Sequence, residues 1–174
     1  MVEDLNITIE KAVPADAEGW CKIHKECWVE VYPNKEAGIT KEDVLEKDFD
    51  SPAKIKYWQD CFVNPKPGVN YLSAKIDGKV VGFCIAYIKD EENEVGALYV
   101  DKDSRRLGAG HKLIEKALSI FDPSKKTILK VASYNTNAIE FYKKCGFEII
   151  GPYTDEHQHL PNGKNIPEFL MKKK

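Results

Sequence analysis

Alternating apolar and polar residues predict a chain rich in β-strands. Leu5, Ile7 and Ile9 alternate with polar neighbours, which indicates a first strand because successive side chains of a strand point to opposite faces. Two later runs of strand-forming residues flank Asp77-Gly78, a dipeptide typical of the type I′ turn of a hairpin. Further strands, including those of the hairpin, are predicted over 71–76, 79–88, 94–100, 127–133, 147–150 and 165–171.

Helical periodicity fills the intervals between these strands. A helix is predicted over 15–32, and one of its stripes forms a core-facing set, Trp20, Ile23, Cys27 and Val31. A second stripe can line either the core or a groove, since it ends in a tyrosine with a polar tip. It consists of Cys21, His24, Trp28 and Tyr32. Further helices are predicted over 40–47, 51–64, 108–121 and 135–145.

One connection determines the sheet type. The strand over 94–100 is joined to the strand over 127–133 by a helix, so these two strands should be parallel with a right-handed crossover. The remaining neighbours are joined as antiparallel pairs. Gly96 lies inside the first of the two strands and predicts a bulge or a close backbone approach. The pattern predicts an α/β (α+β) fold with a mixed, mostly antiparallel sheet of about six to seven strands.

Composition and charge narrow the possible partners. The 174 residues suit one domain, and the formal charge of −2 gives no reason to expect a nucleic-acid or membrane partner. No apolar run approaches the ~20 residues that span a bilayer, and the acidic start does not resemble a signal peptide. The five cysteines form no C-x-x-C pair, which favours free thiols in a reducing compartment. We therefore expect a cytoplasmic protein.

Two glycines mark the entrance of the helix over 108–121. Gly108 and Gly110 follow an apolar strand and a polar loop that contains Arg105. A helix entrance exposes free backbone N–H groups with positive potential, and glycine allows a bound group to approach the backbone closely. This arrangement predicts a phosphate or pyrophosphate site. The spacing matches neither a nucleoside triphosphatase loop nor a dinucleotide fingerprint, and a turn without a ligand is the alternative.

A second motif makes the loop more specific. Arg105-x-x-Gly108-x-Gly110 resembles the coenzyme A pyrophosphate loop of the GNAT superfamily of N-acetyltransferases. A second segment resembles the superfamily's other motif. It reads Asn135-Thr136-Asn137-Ala138-Ile139-Glu140-Phe141-Tyr142 and is followed by Gly146-Phe147. Together the two motifs cover roughly the C-terminal two thirds of the chain. The resemblance implies a single N-acetyltransferase domain over 1–174, with the GNAT fold, a central splayed parallel pair and helices on both faces.

The resemblance also implies an acetyl-CoA site between the splayed strands and the loop. The Val100 N–H would donate to the thioester oxygen, and Asn135 would both cap its helix and contact the pantetheine arm. The side chains of Arg105 and Arg106 could face either the phosphates or solvent. The cofactor-binding set implied in this way is Leu98, Tyr99, Val100, Arg105, Arg106, Leu107, Gly108, Ala109, Gly110, His111, Asn135 and Tyr142.

Two residues carry the catalytic roles that the resemblance implies. Tyr142 occupies the family's usual tyrosine position and would give a proton to the leaving thiolate; a core aromatic is the alternative. Glu94 has the spacing before the loop at which histone-acetylating members place their catalytic glutamate, and would be the base. Strand alternation predicts that Glu94, Leu98 and Val100 share one face. A solvated turn carboxylate, or a base role taken by a water chain, is the alternative for Glu94.

The expected function is transfer of the acetyl group of acetyl-CoA directly to a primary amine of a small molecule or peptide, by an acyltransferase. Trp28 and Tyr32 would bind this acceptor, since the N-terminal third commonly shapes the acceptor side in the family. A non-catalytic acyl-CoA-binding or sensor module is the alternative. Homodimers are common in the family, so a homodimer is possible here.

A metal site is not expected. Four potential ligands lie close together in the loop after 147–150, but the spacing His-x-His alone is a weak metal signal. They are Asp155, Glu156, His157 and His159.

Overall fold

A computed structural model describes residues 6–154 and 160–174, which form a mixed sheet with helices on both faces. The strands are β1 (Ile7–Lys11), β2 (Val69–Ile76), β3 (Lys79–Ile88), β4 (Glu92–Val100), β5 (Lys126–Ala132), β6 (Phe147–Tyr153) and β7 (Glu168–Lys173). The helices are α1 (Ala17–Val31), α2 (Lys41–Leu45), α3 (Pro52–Val63), α4 (Ala109–Ile120) and α5 (Thr136–Lys144).

The sheet has seven strands in the order β1-β2-β3-β4-β5-β7-β6. Only β4 and β5 are parallel neighbours among these strands, and all other pairs are antiparallel. The predicted mixed sheet and its parallel pair are therefore confirmed. The pairing of β6 with β7 is also confirmed, whereas the insertion of β7 between β5 and β6 was not predicted.

Local sequence signals account for the turns and helix starts. Asp77 and Gly78 have φ values of 49° and 77°, as the type I′ turn of the β2–β3 hairpin requires. The Lys54 N–H donates to the Ser51 hydroxyl at the start of α3, with Pro52 in the first helical position. These local signals determine where the β2–β3 hairpin turns and where α3 begins.

Two packed layers cover the sheet. Helices α4 and α5 bury Leu113, Ile114 and Tyr142 in a cluster on one face, together with apolar residues of the strands. On the other face, α1 and α3 bury Trp20 and Trp58 in a second cluster. The predicted helices on both faces are confirmed. No helix within 6–154 or 160–174 combines the length and the apolar character that crossing a membrane would need.

The parallel pair separates halfway along. Pairing of β4 with β5 runs from Glu92, opposite Lys126, to Val95, opposite Leu129, and then ends. Both strands continue beyond this point, β4 to Val100 and β5 to Ala132. The expected splay is thus present as a change from a paired half to an open half.

A bulge at Gly96 lies where the separation begins. Val95 pairs with Ala86 and Ala97 pairs with Ile85, so Gly96 has no partner of its own on β3. A Cβ on Gly96 would lie 2.1 Å from the Tyr87 ring, so no larger residue fits there without displacing that ring. The predicted bulge and the predicted close approach are both confirmed.

The bulge overturns one prediction about Glu94. Directly opposed residues of antiparallel strands point to the same face. Glu94 is opposite Tyr87 and Tyr99 is opposite Phe83, and both partners pack on the α1 and α3 side. Leu98 and Val100 instead pack on the α4 and α5 side. The expectation that Glu94 shares a face with Leu98 and Val100 was therefore wrong, because the extra residue of the bulge shifts the alternation.

Candidate functional site

The open half of β4 directs backbone amides toward the gap. The Asp101 N–H donates to the Val81 carbonyl of β3 over 2.8 Å. Backbone groups alternate in direction along a strand, so the amides of Leu98 and Val100 point away from β3, toward the side where β5 has separated. These two amides are available to an acceptor that lies between the strands.

The loop after β4 brings a helix N-terminus to the same edge. Gly108 is the N-cap of α4 and has φ +93°, a left-handed conformation that favours glycine. The first amides of α4 have no acceptor within the helix. A Cβ on Gly108 would meet nothing within 4 Å, whereas a Cβ on Gly110 would lie 3.3 Å from the Phe141 ring. Gly108 thus serves the backbone turn, and Gly110 allows α4 to pack closely on α5.

Arg105 turns back toward α1. Its Nη1 and Nη2 donate to the two Glu30 carboxylate oxygens over 3.0 and 2.7 Å, and its Nε donates to the Val100 carbonyl over 3.2 Å. These hydrogen bonds hold the pKa of Glu30 below its usual range. Arg106 is exposed and has φ +71°. Arg105 thus binds α1 and Arg106 lies at the surface, and a contact of either side chain with a phosphate stays a prediction.

The remaining loop residues of the predicted cofactor set lie around this helix start. Leu107 is 41% exposed, and Ala109, the first residue of α4, is buried. The His111 ring is exposed on the first turn of α4 and lies edge-on to the Phe141 ring, with the centroids 5.0 Å apart. The loop can therefore offer backbone amides from several consecutive residues to a phosphate group.

Tyr142 lies on α5 and is buried on the α4 and α5 side of the sheet. The Asn135 side chain caps α5 by accepting from the Ala138 N–H over 3.2 Å, as expected. Tyr142 is 7% exposed, and its ring packs edge-on against Phe147. Burial raises the pKa of Tyr142 well above its usual value, so its hydroxyl keeps the proton at neutral pH.

Glu94 lies in the paired half of the β4–β5 pair. Its carboxylate forms ion pairs with Lys89 and, over 3.4 Å, with Lys130. The Glu94 side chain is only 9% exposed. Both lysines therefore bind the carboxylate that the sequence suggested as a base, and they hold it before the point where the strands separate.

Hydroxyl groups converge on the α1 face of the open half. The Trp28 Nε1–H donates to the Tyr99 hydroxyl over 2.9 Å, and the hydroxyl oxygens of Tyr99 and Tyr32 lie 3.2 Å apart. The Tyr134 hydroxyl donates to the backbone carbonyl of Tyr32 over 2.8 Å. Burial raises the pKa of Tyr99 to about 12. We call Trp28, Tyr32, Tyr99 and Tyr134 the aromatic cluster.

The second stripe on α1 lies partly in the core and partly in the aromatic cluster. Trp28 is 8% exposed and packs with Phe49 in a small core under α2, whereas Tyr32 is half-buried and reaches Tyr99 with its hydroxyl. The position of Tyr32 between a β4 residue and Tyr134 was not predicted. The only local signal is that Tyr134 directly precedes the cap Asn135.

Glu168 is a further residue that sequence reasoning missed. It is opposite Ala132 of β5 and Tyr153 of β6, at the first position of β7. Burial, with the Glu168 carboxylate as the next cause, raises the pKa of Tyr134 to about 12. A carboxylate therefore lies close to the aromatic cluster, although no motif pointed to it.

His24 lies beneath the aromatic cluster. Its ring contacts the rings of Trp28, Phe49 and Tyr99 at centroid distances of 5.4, 5.1 and 5.4 Å. Its Nδ1 is buried without a hydrogen-bond partner among the described residues. Burial, followed by the nearby Lys47 charge, lowers the pKa of His24 to about 3. His24 is therefore a neutral residue of the packing beneath the aromatic cluster at physiological pH.

The residues considered for a metal, Asp155, Glu156, His157 and His159, lie outside the described residues. Within 6–154 and 160–174, no group of three or more histidine, cysteine, aspartate or glutamate residues could hold a metal ion.

Comparison with known proteins identifies relatives of this site and fold. The model of the acetyltransferase (GNAT) family matches residues 17–147. An uncharacterized N-acetyltransferase of Methanocaldococcus jannaschii is 37% identical over 113 residues, covering 60% of this chain and 50% of that protein. The Escherichia coli L-amino acid N-acetyltransferase AaaT is 31% identical over 121 residues, covering 66% of this chain and 73% of that protein.

A solved structure matches the whole fold. The PaiA N-acetyltransferase of Thermoplasma acidophilum, solved in complex with coenzyme A, has a TM-score of 0.69 and 22% sequence identity. The match covers 97% of this chain and 99% of that chain. The chain spans only half the length of the Methanocaldococcus relative, so that protein's whole activity does not transfer with the match.

Proposed function

The chain belongs to the acetyltransferase (GNAT) family, and from this premise we propose that it transfers the acetyl group of acetyl-CoA directly to a primary amine. One observation carries the proposal: β4 and β5 stop pairing after Val95 and Leu129 although both strands continue. The gap can accept an extended arm, and the α4 N-terminus stands at the end of β4.

The residues present fit coenzyme A. The open space around Gly108 and the free amides that follow it suit a diphosphate, which helix N-termini bind through backbone N–H groups. The amides of Leu98 and Val100 point into the gap, where they would hold the pantetheine arm and the thioester oxygen. Coenzyme A supplies the activated acetyl group, and the protein supplies the orientation.

The mechanism needs no covalent intermediate on the protein. The Val100 amide would stabilise the negative charge that develops on the carbonyl oxygen, a contribution typically worth ~10²–10³ in rate. Tyr142 would donate its proton to the departing sulfur. Glu94 is the sequence-based candidate for the base, and its two lysine partners weigh against that role.

The acceptor is proposed as a primary amine of a small molecule or peptide. The name of the AaaT relative says that it acts on L-amino acids, which supports a small amine. Tyr32 and Tyr134 of the aromatic cluster are half-buried and would contact a cationic ammonium, the form in which such amines arrive at neutral pH. A cytoplasmic location and a homodimer remain predictions from sequence.

Two glycines provide a matched test of cofactor binding. Gly108 and Gly78 both have left-handed φ values, and a Cβ on either would meet nothing within 4 Å. Coenzyme A should therefore bind Gly108→Ala about tenfold more weakly in calorimetric titration, because the first amides of α4 shift. Gly78→Ala, in the distant hairpin turn, should bind like the wild type.

Turnover is then measured with acetyl-CoA and a panel of amino acids, polyamines and peptides. Coenzyme A binding with acetylation of at least one amine supports the enzyme. Binding without any turnover would favour an acyl-CoA sensor, and no binding at all would overturn the proposed site.

A further inference from the structure

We propose that Glu168 takes the proton from the acceptor's ammonium group and so generates the nucleophilic amine. This inference rests on the proposed acetyl transfer and assigns a role in it that the family motifs do not indicate. Its argument comes from the face of the sheet on which Glu168 lies, its position along the gap and its neighbours.

Strand alternation places Glu168 on the face of the sheet that α1 covers, where the acceptor amine is proposed to bind. We call this the acceptor face. Phe169, the neighbour of Glu168, and the next alternate residue, Met171, pack in the cluster beneath α4 and α5. Glu168 therefore points to the opposite face, where α1 and Tyr99 lie. Tyr142 belongs to the α4 and α5 side, so the two groups flank the gap from opposite faces.

Position along the sheet separates Glu168 from Glu94. Glu168 is opposite Ala132, three residues beyond Leu129, where pairing with β4 ends. Glu94 is opposite Ile128, within the paired half. The two registers are four residues apart on β5, or about 13 Å along the strand. Only Glu168 lies beside the open half.

The neighbours of Glu168 suit an ammonium ion. Its charge contributes to raising the pKa values of Tyr32 from α1, Tyr99 from β4 and Tyr134 after β5, although burial is the larger cause for each. Tyr153 of β6 is its direct partner and carries the Lys130 ammonium over its ring, 4.5 Å from the centroid. A carboxylate among aromatic rings attracts a cationic amine both by charge and through ring faces.

Its position in the paired half makes Glu94 the weaker candidate. Its carboxylate oxygens are bound by Lys89 and Lys130, and its side chain is 9% exposed. These ion pairs hold Glu94 in the paired half, away from the open half beside which the acceptor would lie. We infer that Glu94 holds the paired half together.

Each proton in the proposed reaction has a donor and an acceptor. The acceptor R–NH3+ gives one proton to a Glu168 oxygen, and the nitrogen lone pair then forms the C–N bond with the thioester carbon. The C–S bond breaks, and the sulfur leaves with the electron pair and takes the Tyr142 hydroxyl proton. The surplus proton on the new amide nitrogen restores Tyr142, and Glu168 releases its proton to solvent.

The test compares three glutamine substitutions in the full chain. Glu168→Gln should lower kcat/KM for the amine by ~10²–10⁴, the usual contribution of a positioned base. Its coenzyme A affinity and melting temperature should stay those of the wild type. Glu94→Gln should lower the melting temperature, because it removes the ion pairs with Lys89 and Lys130. Glu148→Gln changes an exposed β6 carboxylate and should have no effect.

The pH profile supplies a readout that a purely structural role would not move. The wild-type kcat/KM should fall at acid pH as Glu168 protonates. Glu168→Gln should lose this limb and regain rate toward pH 10, where solution supplies the neutral amine. Glu168→Asp should retain part of the activity.

The outcomes separate the two proposals. Full turnover in Glu168→Gln, or loss of turnover only in Glu94→Gln, would overturn the role of Glu168 and leave the acetyltransferase standing. A wild type that acetylates no amine would instead overturn the proposed function. Reduced coenzyme A binding by Glu168→Gln would assign the residue to the cofactor site and contradict the inference.

Discussion

The two halves of the β4–β5 pair use the same strands in opposite ways. In the paired half, the protein supplies the partners of the polar side chains. Asn93 is fully buried and donates to the Asp122 carbonyl over 2.8 Å and to the Thr127 hydroxyl over 3.3 Å, while Glu94 is paired with lysines. In the open half, backbone amides of β4 point away from β3 instead, and tyrosine hydroxyls converge on the α1 face.

This difference shows how one sheet can contain both a tightly paired region and a gap between the same two strands. The hydrogen bond from Asn93 to Thr127 holds the two strands together at one end, whereas the other end is separated. The Gly96 bulge then increases the local twist of β4 and directs it away from β5. Residues of the paired half should therefore affect stability, and those of the open half should affect activity.

The largest expected effect tests the open half. Tyr142→Phe removes one hydroxyl and leaves the ring packing, so we expect kcat to fall by ~10²–10⁴ while the free energy of unfolding changes little. Turnover with saturating acetyl-CoA and denaturant titration measure the two quantities. Tyr57→Phe, on an exposed α3 ring, is the control. Unchanged kcat in Tyr142→Phe would mean that this tyrosine is only a core residue.

The second test addresses the paired half. Asn93→Ala leaves the half-buried Asp122 carbonyl and the buried Thr127 hydroxyl without this partner, which should lower the free energy of unfolding by ~2–3 kcal/mol. Urea denaturation measures this change, with Asn137→Ala on the exposed face of α5 as the control, expected within about 0.5 kcal/mol. If Asn93→Ala abolished turnover without loss of stability, the division between the halves would fail.

The smallest expected effect is the contribution of His24, which lies beneath the aromatic cluster, to the pH dependence of stability. The folded-state pKa of His24 is about 3, below the value near 6.5 expected in the unfolded chain. The unfolded state thus binds more protons between these values, and stability is lost as pH falls from 6.5 toward 3. We expect about 2 kcal/mol less stability at pH 5 from this residue.

Denaturation at several pH values measures the effect of His24. His24→Phe should remove this part of the pH dependence, and His111→Gln, an exposed histidine, should retain it. An unchanged slope in His24→Phe would show that other groups cause the acid sensitivity.

The sequence alone determined the features that depend on neighbouring residues. The Asp77-Gly78 turn, the cap at Asn135 and the bulge at Gly96 were all predicted, because each arises from the conformational preference or side-chain hydrogen bond of one short segment. The two motifs likewise indicated the family, and the helical connection between β4 and β5 predicted that these strands are parallel.

The tertiary structure decided the features that depend on distant segments. Arg105 meets Glu30, 75 positions away, and Glu168 reaches the acceptor face only because β7 enters the sheet between β5 and β6. The face of Glu94 depended on how a single bulged residue was accommodated against Tyr87. Local preferences act within a few residues, whereas these contacts depend on which strands become neighbours when the apolar faces are buried together.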